Sequence, residues 1–211
     1  MTTRRQTDNL LGALALSVVD RISSVADGAG HSMTAATALS AMAGFLDGAS
    51  IDRLRDVLGL SHSGAVRLVD RLVADGLAQR LPGPDGRSRS VTLTTEGREA
   101  AARIAAEREA LLHRLTGALD AQERSQLQQL LAKMLAEVVA TKDGGAWVCR
   151  LCDLGACGRD DGKCPTARAA AVKYGPEAVS SPAGRTGCRA AGPAGPVPLD
   201  GAGTGLRRRR R

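Results

Sequence analysis

The feature that most restricts the fold is a pair of short helical patterns separated by only three residues. Apolar residues recur at helical spacing from Ile51 to Leu58, and the pattern resumes after Ser61. The intervening Gly59 to Ser61 is a glycine-containing turn, and Ser50 is a candidate N-cap for the first helix. On the second helix one side carries Ala65, Leu68, Val69, Leu72 and Val73, and the other carries Ser63, Arg67, Asp70 and Arg71. A short helix, a tight turn and a helix with a polar outer face predict a helix-turn-helix.

The sequence then changes from helical to strand-like periodicity. Leu77 to Leu81 and Ser90 to Leu93 are predicted strands, and Pro82 to Arg89 between them reads PGPDGRSR. A two-stranded ribbon directly behind such a helix is a wing, which brings arginines to the narrow minor groove while the helix occupies the major groove. Arg87 and Arg89 are therefore candidate DNA contacts. The alternative is that they only make the hairpin soluble.

Long helical patterns flank this unit on both sides. The predicted helices are 8–26, capped by Asp8; 34–46, closed by Gly48; 96–115, capped by Thr94 and Thr95; and a last one that opens on a capping box of Asp120 and Glu123. The last helix repeats apolar residues at helical spacing, namely Leu127, Leu130, Leu131, Met134, Leu135 and Val138.

The aromatic residues are so few that the core must be aliphatic. They are Phe45, Trp147 and Tyr174. A monomer this poor in large aromatic side chains has little use for so much flanking leucine, so the terminal helices are predicted to pair across a two-fold axis. Packing within one chain is the alternative. The predicted fold class is mainly α with a small β-wing, a winged helix-turn-helix with flanking dimerisation helices.

Composition also argues against several classes of function. Binding of single-stranded nucleic acid by stacking needs aromatic platforms, which are scarce here. The formal net charge is +7, but Arg207 to Arg211 supply most of that excess, so global charge carries little weight. No uninterrupted apolar segment approaches the roughly 18 residues of a membrane helix, and the first residues lack the apolar block of a secretory signal, so we expect a cytoplasmic protein. The histidines are His31, His62 and His113, and no G-x-S-x-G or P-loop pattern occurs, so no enzyme is predicted.

The stretch from Ile51 to Gly97 resembles the central segment of MarR-type regulators. The matching pieces are RLVDRLVADGL at Arg67 to Leu77, D-x-R at Asp85 to Arg87, and V-x-L-T-x-x-G at Val91 to Gly97. They follow one another in order and without a gap, and the helix layout extends the resemblance from about Asn9 to Thr141.

The resemblance implies a homodimeric repressor that acts by occlusion, with intertwined terminal helices and a pseudo-palindromic site on double-stranded DNA. By position, the implied base-reading residues are Ser61, His62, Ser63, Arg67 and Arg71, and Asp85 would brace Arg87 in the minor groove. His62 is assigned to a phosphate or base edge rather than to a metal. Many relatives sense small phenolic or lipophilic molecules, and some sense oxidants, so a small-molecule or redox effector is expected. This chain has no aromatic residues to line such a pocket, and its cysteines lie behind the matched body.

A cluster of four cysteines follows the last predicted helix. Cys149, Cys152, Cys157 and Cys164 are spaced C-x2-C-x4-C-x6-C in WVCRLCDLGACGRDDGKCP. Four thiolates this close can surround one metal ion, and disulfides are disfavoured in the cytoplasm. Zinc is favoured because the ligands are close in sequence, whereas the pair formed by Cys164 and a following proline keeps an iron–sulfur cluster open. A metal-free, incidental cluster is the other alternative, and Cys188 is predicted to be a free thiol.

Three zones are predicted: a winged-helix DNA-binding and dimerisation domain over 1–143, a cysteine-rich metal-binding appendage over 144–174, and a disordered Gly/Pro/Arg tail over 175–211. Gly144 and Gly145 suggest a flexible joint, so the appendage is expected to be separable from the DNA-reading surface. The competing function is an iron–sulfur redox or electron-carrying protein that uses the winged body as an interaction scaffold.

Overall fold

The computed structural model describes residues 2–83, 89–141 and 145–175. The helices are α1 (Thr2–Gly28), α2 (Met33–Ala41), α3 (Ile51–Leu58), α4 (His62–Ala74), α5 (Thr95–Thr116), α6 (Ala121–Thr141) and α7 (Pro165–Tyr174). A π-helical turn, Met42–Leu46, extends α2, and a 3₁₀ turn, Gly145–Cys149, precedes the cysteines. The strands are β1 (Ala49–Ser50), β2 (Ala78–Pro82) and β3 (Arg89–Leu93). The predicted fold class, mainly α with a small β-wing, is confirmed.

The helix-turn-helix forms as predicted because each of its ends has a local stop or start signal. The Ser50 hydroxyl accepts a hydrogen bond from the Arg53 N–H at 3.2 Å and begins α3. Gly59 ends α3 in the left-handed conformation, with φ of 68°, which costs glycine little. Ser61 then caps α4 by accepting from the Gly64 N–H at 3.1 Å.

The wing belongs to a three-stranded antiparallel sheet rather than to an isolated hairpin. The strand order is β1-β3-β2, and Val91 of β3 pairs with Ala49 on one side and Arg80 on the other. β2 and β3 lie within a residue or two of the predicted strands. β1 was not predicted, because two residues carry no readable alternation.

The core is aliphatic, as the lack of aromatic residues requires. It joins α2, the helix-turn-helix, the sheet and the first half of α5. Its largest fully buried side chains include Leu39, Met42, Leu46, Leu54, Leu72, Val91 and Ile104.

Two helix boundaries differ from the prediction. α1 begins at Thr2, so Asp8 lies inside the helix and is not its cap. The reason is that no glycine or proline precedes Asp8 to stop a helix. The second predicted helix is α-helical only to Ala41 and finishes in the π-helical turn, and Gly48 follows it with φ of 76°.

A close backbone contact locks the start of α5 to the end of the helix-turn-helix. The Thr94 hydroxyl donates to the Gly76 carbonyl at 2.7 Å and accepts from the Gly97 N–H at 3.0 Å, so it is the predicted cap. At Gly97 an added Cβ would lie 1.9 Å from the Leu77 carbonyl oxygen. Only glycine allows the helix to approach the preceding turn this closely.

The terminal helices expose large apolar side chains. On α1 these are Leu10, Leu11, Leu14, Leu16 and Val19, and on α6 they are Leu130, Leu131, Met134 and Val138. By length and composition alone, Thr3–Gly28 also meets the requirement for a membrane-crossing helix. Asp20 and Arg21 interrupt its apolar stretch, and a helix that packs against protein satisfies the same requirement.

Candidate nucleic-acid interface and cysteine cluster

The outer face of α4 presents a continuous polar surface. Ala65, Val69 and Leu72 are buried and hold the helix on the core. The predicted base-reading residues are exposed: Ser61, His62, Ser63, Arg67 and Arg71. The structure therefore brings these five residues to one surface.

The first turn of α4 is preorganised by short polar contacts. The His62 ring nitrogen Nδ1 lies 3.3 Å from Asp52 Oδ1 of α3, and the Ser61 and Ser63 hydroxyl oxygens lie 3.4 Å apart. Asp52 also contacts Arg55 Nη1 at 3.2 Å. A helix N-terminus has unpaired N–H groups and a positive dipole end, so an anion is stabilised there.

The two arginines of this face remain available to a ligand. Arg71 Nε lies 3.7 Å from Asp75 Oδ2, and the Arg71 side chain is 82% exposed. A surface pair of this kind stabilises little. Arg67 has neither an ion-pair nor a hydrogen-bond partner within the described part of the chain. Both side chains can therefore reorient toward a partner without breaking a strong interaction.

An ion pair that the sequence did not reveal fixes the wing against α4. Arg80 Nη2 of β2 lies 2.5 Å from Asp70 Oδ1 of α4. Arg89 is exposed at the first position of β3, where it pairs with Pro82. Asp85 and Arg87 lie outside the described residues. The strand that leads into the wing thus has a set position relative to the recognition helix.

Asp47 is a second residue that sequence reasoning missed. Its Oδ1 accepts from the Leu93 N–H at 3.1 Å, and its Oδ2 accepts from Arg98 Nη2 at 2.7 Å. One carboxylate therefore joins the end of the π-helical turn to β3 and α5. No local pattern signals it, because its partners are far away along the chain.

The four predicted metal ligands are brought into one neighbourhood. Cys149 and Cys164 are buried, and Cys152 and Cys157 are half-buried. The Thr166 hydroxyl lies 3.0 Å from Cys164 Sγ and 3.8 Å from Cys149 Sγ. The thiols also interact electrostatically in two pairs, Cys149 with Cys152 and Cys157 with Cys164. All four are free thiols.

These interactions give the four thiols different pKa values. The hydrogen bond from Cys152, aided by Thr166 and Arg159, lowers the pKa of Cys149 to about 6 despite burial. The same hydrogen bond raises the pKa of Cys152. Burial and the hydrogen bond to Cys164 raise the pKa of Cys157 to about 12. Burial raises the pKa of Cys164, but hydrogen bonds from Thr166, the Ala167 N–H and Cys157 outweigh it and lower this pKa.

The cysteine segment packs on the body, and its separability from the DNA-reading surface stays a prediction. Its 3₁₀ turn contacts α3, and α7 packs along α6. Within the described ranges, no three ligand-type side chains already surround a common point as they would around a bound metal. Zinc and the iron–sulfur alternative therefore stay predictions. Cys188 lies outside the described residues.

Comparison with known proteins finds similarity to MarR-family regulators. Residues 30–88 match the model of the MarR family. A mutant of MarR from E. coli is 26% identical at a TM-score of 0.52, over 61% of this chain and 95% of that chain. MepR, a transcription regulator of the Staphylococcus aureus multidrug efflux pump MepA, is 17% identical at a TM-score of 0.56, over 62% of this chain and 97% of that chain. A MarR-family transcriptional regulator from Rhodococcus sp. RHA1 is 21% identical at a TM-score of 0.51, over 62% of this chain and 93% of that chain.

No curated protein matches the chain. The family match spans the helix-turn-helix, β1 and β2, and it ends before β3 and the cysteine segment. The alignment of this chain with the MarR-family structures covers nearly the whole length of those structures. Residues 30–88 are therefore similar to the MarR family, and the chain shares the winged helix-turn-helix fold of the MarR-family structures it matches.

Proposed function

We propose that this chain is a sequence-specific, homodimeric DNA-binding repressor of the cytoplasm, without enzymatic activity, that excludes other proteins from its operator. The observation that carries the proposal is the exposed face of α4, with Arg67 and Arg71 held above a buried apolar face. The family match supports DNA binding and does not favour the alternative of an iron–sulfur electron carrier. In this proposal α4 enters the major groove of double-stranded DNA.

The wing would supply the second contact. Arg89 begins β3, and the ion pair between Arg80 and Asp70 holds the wing strands beside α4. A wing in this position reaches the adjacent minor groove, where a narrow A·T-rich groove attracts arginine. Arg87, braced by Asp85, is the proposed minor-groove residue.

The proposed dimer uses the apolar faces of α1 and α6. Leu10 is 64% exposed and Leu130 is 56% exposed, and both lie on helices with several other exposed apolar side chains. Leu127, Leu131 and Leu135 also line an open groove beside the end of α5. A second copy would remove these side chains from water, at about 25 cal/mol per Å² of apolar surface buried. Two-fold symmetry would give two recognition helices and hence a pseudo-palindromic site.

Arg67→Ala tests the DNA-reading face. We expect it to cost about 1 to 3 kcal/mol of specific binding and to relax the preference at one base position, because a bidentate base contact is lost. Arg87→Ala should instead weaken sites with A·T-rich flanks most. The operator would be selected from random duplex DNA, and affinities would be measured by fluorescence anisotropy at fixed salt.

Arg103→Ala is the matched control, since Arg103 is an exposed arginine of α5 away from the recognition helix. It should change affinity equally and slightly for all sequences. Equal, sequence-independent losses in all three variants would contradict the assignment of Arg67 and Arg87.

A further inference from the structure

We propose that Cys149, Cys152, Cys157 and Cys164 bind one zinc ion, and that the filled site holds the helix-turn-helix in its DNA-binding position relative to α6. The zinc site is independent of the proposed function. The effect of zinc on DNA binding rests on the proposed function.

The chain is folded so that the two halves of the cysteine motif meet. The Cys152 N–H donates to the Cys149 carbonyl at 2.9 Å, which bends the first half back on itself. Gly158 and Gly162 take positive φ values in the second half, and Cys164 occupies the residue just before α7. The Thr166 hydroxyl then lies between the sulfurs of Cys149 and Cys164, one from each half.

Zinc binding would require the four sulfurs to converge by side-chain rotation, since they do not yet surround one point. Structural zinc takes four thiolates in a tetrahedron at about 2.3 Å from each sulfur. A cysteine side chain has a single torsion to adjust, and the Thr166 hydroxyl oxygen already lies within 3.8 Å of one sulfur from each half of the motif. Because all four ligands lie between Cys149 and Cys164 in the sequence, a single ion is favoured over a multinuclear cluster.

The charges around the cluster fit a metal with four thiolates. Such a centre is a dianion, so it requires nearby positive charge. Arg159 Nη1 lies 3.8 Å from Cys149 Sγ, and Arg108 of α5 acts electrostatically on Cys152. Arg108 Nε is buried and has no acceptor in the described part of the chain. Neither guanidinium forms a salt bridge there, so both are available to balance the centre.

The cysteine cluster also connects the helix-turn-helix region to the end of α6. The 3₁₀ turn ending at Cys149 contacts α3, and Leu154 Cδ1 lies 4.0 Å from the Cβ position of Gly44 in the π-helical turn. At the other end, Lys173 Nζ donates to the carbonyls of Val139 and Ala140 at 3.2 and 2.8 Å, at the end of α6.

This geometry gives zinc a means of acting on DNA affinity. Closing four sulfurs around one ion fixes the first half of the motif, on α3, relative to the second half, on α7 and α6. In the proposed dimer α6 sets the spacing of the two recognition helices. Zinc therefore preorganises that spacing, and the zinc-loaded protein should bind its operator more tightly than the metal-free protein.

The site is tested on the full-length protein, purified anaerobically without chelator. Elemental analysis should give one zinc per chain and no stoichiometric iron. Cobalt substituted for zinc should show the sulfur-to-metal charge-transfer and visible bands of a tetrahedral thiolate site. Cys157→Ser and Cys152→Ser should each lose tight zinc binding, whereas Cys188→Ser, the same substitution at the fifth cysteine, should retain it. Stoichiometric iron with visible absorption, two disulfides, or no metal with all four thiols reactive would each overturn the zinc site.

The coupling is tested by comparing operator affinity of zinc-loaded and chelator-stripped protein. We expect stripping to weaken binding at least about fivefold, within the usual range of allosteric coupling. Leu154→Ala should keep one zinc per chain but reduce that difference, because it loosens the contact with the π-helical turn. Bound zinc with equal affinities in the two states would overturn the coupling. Bound zinc in a protein with no sequence-specific DNA binding would overturn the proposed function and the coupling with it, while leaving the zinc site intact.

Discussion

Gly97→Ala should lower the free energy of unfolding by about 3 kcal/mol or more, the upper end of the cost of overpacking. The added Cβ would meet the Leu77 carbonyl oxygen at 1.9 Å, so the backbone itself would have to move. Movement is opposed on both sides, since that carbonyl accepts from the Thr94 N–H at 3.1 Å and Thr94 also caps α5. Urea denaturation followed by circular dichroism would show a lower midpoint.

Gly28→Ala is the matched control. Gly28 ends α1 without a positive φ, and nothing lies within 4 Å of an added Cβ. Alanine there should be neutral or stabilise the fold by up to about 1 kcal/mol, because it restricts the unfolded chain. If the two variants shifted the midpoint alike, the close contact at Gly97 would not be the cause.

Leu131→Asp should break the proposed dimer. Leu131 is 42% exposed and lies among the apolar side chains of α6. Burial of a leucine stabilises by about 1.5 to 3 kcal/mol, and a two-fold axis places Leu131 in the interface twice. We therefore expect the dimer to weaken by about a hundredfold or more, which corresponds to about 3 kcal/mol. Sedimentation should change from a two-protomer mass to one protomer, and operator binding should fall with it.

Gln129→Asp provides the comparison on the same helix. Gln129 is exposed on the side of α6 away from the apolar face, so the same negative charge there should leave the mass unchanged. A wild-type protein that sediments as one protomer would refute the interface, as would a Leu131→Asp variant that remains a full dimer.

The recognition unit could be predicted closely because its signals are local. Ser50, Gly59 and Ser61 each act on residues no more than five positions away, so their roles are readable from spacing. The capping box is equally local: the Asp120 N–H donates to Glu123 and the Glu123 N–H donates to Asp120, both at 2.8 Å. The strands of the wing were predicted to within a residue or two for the same reason.

The parts that could not be predicted depend on contacts between distant residues. Asp47 accepts hydrogen bonds from Leu93 and Arg98, which lie 46 and 51 positions further along the chain. The ion pair between Arg80 and Asp70 depends on how the wing folds back on α4. The helix α7 also escaped prediction, although the proline after Cys164 is a recognised start signal at the first position of a helix.

The sequence by itself determined the helix-turn-helix, its polar face, the wing strands and the spacing of the four cysteines, because each follows from residue type and periodicity within about one helical turn. The tertiary structure alone decided where the cysteine segment lies. The local sequence of the cysteine segment is compatible both with a separate appendage and with a segment packed between α3 and α6. Approaches across the fold, such as that of the Leu154 side chain to Gly44 and the hydrogen bonds of Lys173 to the end of α6, favour the packed arrangement.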